Sequence, residues 1–206
     1  EESVDIAAET NGRIVEILFA DGAPVGKGDV LFRLDQTLLK AQVADAQERL
    51  ALAKSVVERN AALVKSRNIA QSVVDQTATE LALAESALAL AQVQLGKLTV
   101  VAPFSGRAGF RNVSVGAYVQ AGAALVHVEK IDRLKAGFSV PELYFARLAA
   151  GQAVAVAADA LPGEAFEAIV SGIDPLVDVN GRALRIRADL DNTAGKLRPG
   201  MLVRIV

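Results

Sequence analysis

The sequence predicts an α+β chain of several domains in an elongated series. A β-sandwich is split into two halves, an antiparallel α-helical coiled-coil hairpin is inserted between them, and a small β-barrel follows. Three observations carry this. A Gly-punctuated β pattern occurs twice at a fixed offset, the stretch between the copies has heptad spacing and almost no breakers, and the remainder is a set of short strand-like runs bounded by turn signals.

The repeat comes first in the chain. Gly12, Gly22, Val25, Gly28 and Leu31 recur as Gly106, Gly116, Val119, Gly122 and Leu125, always 94 residues later, and Arg13 and Arg107 follow the first glycine of each copy. The first copy reads as strand residues Ile14, Val15, Ile17, Leu18 and Phe19, a turn at Asp21-Gly22, a second break around Gly26-Lys27-Gly28-Asp29, and a short apolar run Val30-Leu31-Phe32. Two copies of one structural unit are therefore expected on either side of a long insert.

The insert, from about Gln36 to Lys97, has no proline and no glycine before Gly96, and is rich in the residues that lose least on entering a helix. Val43, Leu50, Val57 and Val64 stand seven apart, as do Val74, Leu81, Leu88 and Leu95. The two series mirror each other about position 69, as a chain folding back on itself requires. Ala46 and Ala53 on one arm and Ala84 and Ala91 on the other give small layers that let helices approach closely. Lys65-Ser66-Arg67-Asn68 is the expected turn.

After the second repeat, strands are expected at 134–140, 151–158, 165–173, 182–190 and 201–206. The breaks are Pro162-Gly163, Asp174-Pro175, Asn180-Gly181 and Pro199-Gly200. Glu142 to Ala150 has helical spacing at Leu143, Phe145, Ala146 and Ala149. Short strands at regular intervals predict a closed or nearly closed barrel.

Composition narrows the function classes. Hydrophobic residues make up 52% of the chain and aromatics 4%, so the cores must be built from Ala, Val, Leu and Ile. With 22 basic and 24 acidic residues there is no basic field to concentrate a nucleic acid. The absence of cysteine excludes disulfides, thiolate metal sites and thiol nucleophiles. One histidine, His127, and one methionine, Met201, cannot by themselves form a metal site. Asp174 and Asp178 lack a nucleophile or a second convergent group, and phosphate-binding and nucleophile-elbow motifs are absent. No catalytic residue, cofactor or metal is expected.

The order half-repeat, helical hairpin, half-repeat, barrel resembles the periplasmic adaptor, or membrane fusion protein, family of bacterial efflux and secretion systems. "GRIVEILFADGAPVGKGDVLFRLD" at 12–35 is similar to that family's first lipoyl half. "TVVAPFSGRAGFRNVSVGAYVQAGAALVHV" at 99–128 is similar to the second, and "LRPGM" at 197–201 to the turn before its last barrel strand. The resemblance implies a lipoyl-like domain over 1–35 plus 98–130, a hairpin over 36–97 and a barrel over 131–206. It also implies a non-catalytic adaptor that joins an inner-membrane transporter of RND type to an outer-membrane channel and self-associates into a trimeric or hexameric ring. It places the protein in the periplasm, held to the inner membrane by an N-terminal segment that this sequence does not contain. An adaptor of an ABC-type exporter or a type I secretion system is the alternative. A lipoyl or biotinyl carrier is disfavoured, because the hairpin replaces the turn after Leu34-Asp35 where a carrier keeps its modified lysine, and Lys27 lies in another turn.

In the family, an Arg, a Leu four residues later and a Ser seven beyond that mark the channel-docking end of the hairpin. Here the matching positions are Arg59, Leu63 and Ala70, the last a departure that removes a hydroxyl. Lys65, Arg67 and Asn68 at the apex complete the expected docking set. A bland alternative for Arg59 is an exposed heptad flank paired with Glu48 or Glu58.

Overall fold

A computed structural model describes residues 2–65, 70–178 and 182–205. The first unit consists of strands β1 (Ser3–Ala7), β2 (Gly12–Ile17), β3 (Pro24–Val25) and β4 (Val30–Leu34), then β5 (Thr99–Val101), β6 (Gly106–Arg111), β7 (Tyr118–Val119) and β8 (Ala124–Glu129). These make two four-stranded sheets of order β1-β8-β6-β3 and β5-β4-β2-β7. Each sheet therefore takes two strands from each half: β1 and β3 join β8 and β6, and β5 and β7 join β4 and β2.

The repeat extends beyond the glycines and leucines into burial and hydrogen bonding. Ile6 and Val100, Ala8 and Ala102, Ile14 and Ala108, Phe32 and Val126, and Leu34 and Val128 are all buried pairs at the same offset, and together they fill one core between the two sheets. The backbone bonds repeat too. Ala8 N–H donates to Ala123 O (3.0 Å) as Ala102 N–H donates to Asp29 O (2.9 Å), and Gly28 N–H to Ala102 O as Gly122 N–H to Ala8 O, both 2.8 Å. Gly22, Gly28, Gly116 and Gly122 all have φ between +76° and +91°, which explains why glycine marks these positions in both copies.

The chain leaves this unit at Leu34 and re-enters it at Leu98, whose carbonyl accepts the Leu34 amide at 2.9 Å. Between them run α1 (Thr37–Lys65) and α2 (Gln71–Gly96), each about 40 Å long at 1.5 Å per residue. Val43, Leu50 and Val57 of α1 and Val74, Leu81, Leu88 and Leu95 of α2, all expected heptad residues, are partly buried, and Ala46 and Ala91 are buried. The expected turn at Ser66, Arg67 and Asn68 lies outside the described residues, as do Asn180 and Gly181 of a later one.

The last part is a five-stranded sheet of order β13-β10-β11-β12-β9, made of β9 (Arg133–Pro141), β10 (Ala153–Ala158), β11 (Ala165–Asp178), β12 (Ala183–Asp191) and β13 (Val203–Ile205). Leu134 of β9 and Val203 and Ile205 of β13 join the same core cluster, and a cleft lined by β9 and residues 197–203 separates these two edges. The sheet is thus curled into a nearly closed barrel. Asn192, 4% exposed, ties the junction together: its side-chain amide donates to Ile131 O and Leu197 O and its Oδ1 accepts from Leu197 N–H, so both polar atoms of its buried side chain are paired.

Two expectations fail in this part. The helix read at Glu142 to Ala150 is a 3-10 turn over Glu142–Arg147 with no buried residue, and Leu143 and Phe145 are 72% and 60% exposed. A 3-10 turn has three residues per turn, so residues two apart cannot share a face, and the segment follows Pro141 too closely to develop an α-helical stripe. Asp174-Pro175 does not end a strand either. β11 continues to Asp178 through a bulge between Ile173 and Val177, an arrangement that accommodates the missing proline N–H.

Two outcomes follow from the geometry. A Cβ at Gly106 would stand 2.6 Å from the Glu129 carbonyl oxygen, whereas one at Gly12 would meet the end of the Leu34 side chain at 2.8 Å. Gly106→Ala is therefore expected to destabilise by about 2 kcal/mol and Gly12→Ala by less, because a paired backbone yields less readily than a side chain; chemical denaturation of the two variants measures the difference. At the hairpin root, Asp35 Oδ1 accepts from the Thr37 amide (3.0 Å) and hydroxyl (2.7 Å), and these bonds hold its carboxyl below the ordinary 3.8. The unfolded chain then takes up the proton first. The stabilisation is complete above the ordinary value and lost as pH falls through the lowered one. The gap in melting temperature between wild type and Asp35→Ala should be widest at neutral pH and close below about pH 4.

Candidate functional site

The hairpin is positioned from its root. Leu39 of α1 and Leu95 of α2 pack against the core of the two-sheet unit, and Gln36 Nε2 donates to Thr99 Oγ1 at 2.8 Å, so both arms are gripped where they emerge. Beyond the root the helices pack along one seam. Val43, Leu50 and Val57 of α1 and Val74, Leu81 and Leu88 of α2 are half-buried in it, alternating with smaller residues.

One layer of that seam is polar. Thr77 is 8% exposed and accepts from Asn60 Nδ2 at 3.4 Å, while its own hydroxyl donates to Val74 O at 3.0 Å. Asn60 and Thr77 occupy the places one heptad beyond Ala53 and Ala84, so the spacing that located the alanine layers also located this one. A polar pair inside an apolar seam disfavours any slip that would bury either group alone, and so fixes the register of the outer third of the hairpin.

That register sets the presentation of the expected docking residues. Arg59 precedes Asn60 and is exposed, and neither Glu48 nor Glu58 forms an ion pair with it. Leu63, four residues on, is 45% exposed. Lys65 is the last residue of α1. Arg67 and Asn68 lie outside the described residues. Ala70 is the N-cap of α2, with φ −76° and ψ 145° and no side-chain cap; its carbonyl accepts from Val73 N–H at 3.1 Å. On the surface of the first turn of α2, Gln71 Nε2 donates to Asp75 Oδ1 at 2.9 Å.

The groups with chemical potential elsewhere are engaged structurally. His127 is an exposed residue of β8, with Nδ1 2.8 Å from Asp5 Oδ1 and Nε2 3.2 Å from Ser3 Oγ, so it links β8 to the edge strand β1. Asp174 Oδ1 accepts from the Leu176 amide within the β11 bulge. The Lys27 amide donates to Ser105 Oγ, joining the first half-unit to the second. Among the described residues, no group of three or more His, Asp or Glu gathers as a metal-ligand set, and no helix is long and apolar enough to cross a membrane.

Comparison with known proteins gives matches along nearly the whole chain. Residues 2–129 match the model of the RND MFP barrel-sandwich hybrid domain, and residues 136–206 that of the CusB-like beta-barrel domain. An uncharacterised protein of Haemophilus influenzae is 27% identical over 97% of this chain and 53% of its own length. Multidrug resistance protein MdtA of Pectobacterium atrosepticum is 27% identical over 98% of this chain and 55% of its own. The chain thus spans about half the length of these relatives. The crystal structure of a putative efflux transporter from Bacteroides eggerthii superposes with a TM-score of 0.83, 24% identity and coverage of 99% of this chain and 64% of the other, a likeness of fold.

The uncapped start of α2 yields a direct test. Serine at 70 has the backbone conformation to accept from the amide of residue 72 or 73, so Ala70→Ser should stabilise by about 1 kcal/mol. A thermal melt followed by helical circular dichroism reads this; an unchanged melting temperature would mean that the α2 terminus is satisfied without a cap.

Proposed function

The chain belongs to the RND membrane fusion protein family, and on that premise we propose that it is a periplasmic adaptor of a tripartite efflux system. It joins an inner-membrane transporter, of RND type, to an outer-membrane channel, and it works as a scaffold without chemistry of its own. The observation that carries this reading is the hairpin: two helices of 29 and 26 residues, rooted in a small two-sheet unit, that pack on each other along one seam and leave their outer faces exposed. A lone pair of helices this long has only one seam to bury, so its length serves reach rather than stability.

In this reading the two-sheet unit is a lipoyl-like domain that no longer carries a modified lysine and acts as the platform of the hairpin. The far end of the hairpin docks on the channel. Arg59 supplies a guanidinium for carbonyls or a carboxylate of the channel helices, Leu63 fills a groove between them, and Lys65, Arg67, Asn68 and Ala70 frame the contact. The protein functions in the periplasm, anchored to the inner membrane by a segment outside this sequence, and several copies associate side by side into a ring.

Arg59 decides the docking assignment. Arg59→Asp in the full-length protein is expected to abolish drug resistance in a complementation assay while expression and the melting curve stay at wild-type values, since the side chain is exposed. Resistance that persists with normal expression removes Arg59 from the docking site.

A further inference from the structure

The hairpin has a second apolar face besides its seam. With Val43, Leu50 and Val57 in heptad position a and Ala46, Ala53 and Asn60 in position d, Leu38 and Leu52 of α1 fall on position c. The same count from Leu81 and Leu88 puts Leu83 and Leu90 on position c of α2. In an antiparallel pair, the c and g positions of both helices lie on one side of the seam and the b and e positions on the other. Leu38, Leu52, Leu83 and Leu90 therefore share one face, and each is between 60% and 71% exposed. The opposite face holds alanines with polar residues such as Gln47, Lys54, Glu58 and Glu85, and no Leu, Val or Ile. Helix propensity does not account for the asymmetry, since alanine serves it at least as well.

The charged residues among these leucines give the face a direction. Along position c of α1 the order is Leu38, Asp45, Leu52, Arg59, so an acid and a base stand one heptad, about 10 Å, on either side of Leu52. On α2, where Leu88 lies level with Leu50, Leu90 and Leu83 stand about one turn on either side of the level of Leu52. A second copy turned end for end about Leu52 sets Leu52 on its own counterpart, Leu83 near Leu90, and Asp45 on Arg59 twice by symmetry. In a copy running the same way, Asp45 and Arg59 stay about 21 Å apart along the axis. Arg59 has no ion-pair partner among the described residues. Asp45 meets only Arg49 of its own helix, in an exposed pair of little worth, and a carboxylate can accept a second guanidinium.

We infer that this face is a homodimer interface, on which two copies lay their hairpins together end for end as a four-helix bundle centred on Leu52. A face of two helices, about 40 Å long and 20 Å wide, offers roughly 800 Å², which is what each partner of a standard stable interface contributes. The bundle also supplies the second seam that a lone helix pair lacks. The inference stands on the hairpin and is independent of the adaptor reading. Joined to that reading, it means that the dimer covers Arg59 and is a resting form, distinct from a side-by-side ring of parallel arms.

Sedimentation equilibrium of the purified protein from about 1 to 100 μM should show monomer and dimer in exchange. Leu52→Glu, which sets two carboxylates against each other on the axis, should weaken the dimer about tenfold or more, and Ala51→Glu on the opposite face should leave it unchanged. Asp45→Arg and Arg59→Asp each bring like charges together and should each weaken it about tenfold. Combined in one chain they restore the pairing and should return the dimer to within about threefold of wild type. All four positions are exposed, so circular dichroism melts should match wild type. In a chain without cysteine, Leu52→Cys should cross-link to its own counterpart on mild oxidation. A wild-type chain that stays monomeric at about 100 μM leaves the face to a different partner and overturns the inference. A dimer indifferent to Leu52→Glu, or weakened as much by Ala51→Glu, uses another surface and overturns it as well. Loss through Leu52→Glu without recovery in the charge swap or a Leu52→Cys cross-link means parallel arms, and overturns the end-for-end dimer.

Discussion

The structure depends on the closure of two half-units upon each other. Each half lends two strands to each sheet, and the core between the sheets takes Leu31, Phe32 and Leu34 from one half and Leu125, Val126 and Val128 from the other. Neither half has a complete sheet or a complete core alone. Burial at roughly 25 cal/mol per Å² of apolar surface rewards only their union, which brings together residues 94 positions apart in sequence. The connection between them is held shut at its root by the Leu34 amide on the Leu98 carbonyl and by Gln36 on Thr99. A helical hairpin is well suited to such a connection, since it returns the chain to its starting point with local contacts and lightens the entropic cost of closing a long loop.

The hairpin in turn converts that closure into reach. Alanine layers at 46 and 91 bring the arms close, the apolar heptad residues fill the spaces between, and the Asn60–Thr77 layer sets the register near the outer end. The placement of Arg59 and Leu63 on the surface is a consequence of that register. Ala70 is the weak point of the arrangement, because it leaves the start of α2 without a side-chain cap.

The barrel obeys a different constraint. Its curled sheet leaves a cleft between β9 and β13, and Asn192 holds the segments at this end together by satisfying its amide on three backbone groups from 131 and 197. The bulge in β11 opens the outer surface beside Arg185 and Arg187. Sequence reading took Pro175 for the end of a strand and missed this surface. A proline inside a strand and a proline after one look the same until the partner strand is known.

What the sequence determined by itself is the part governed by local periodicity and backbone need. Glycines required at positive φ marked the two halves, seven-residue spacing marked the hairpin and its seam, and turn residues marked most of the barrel strands. The tertiary structure alone decided the mixing of strands from both halves in each sheet, the exposure of Leu143 and Phe145, and the clamp made by Asn192. Each of these depends on which residue stands across a strand or at the end of a sheet. Pairing of that kind is set by the sum of many weak contacts between distant segments, which no local pattern encodes.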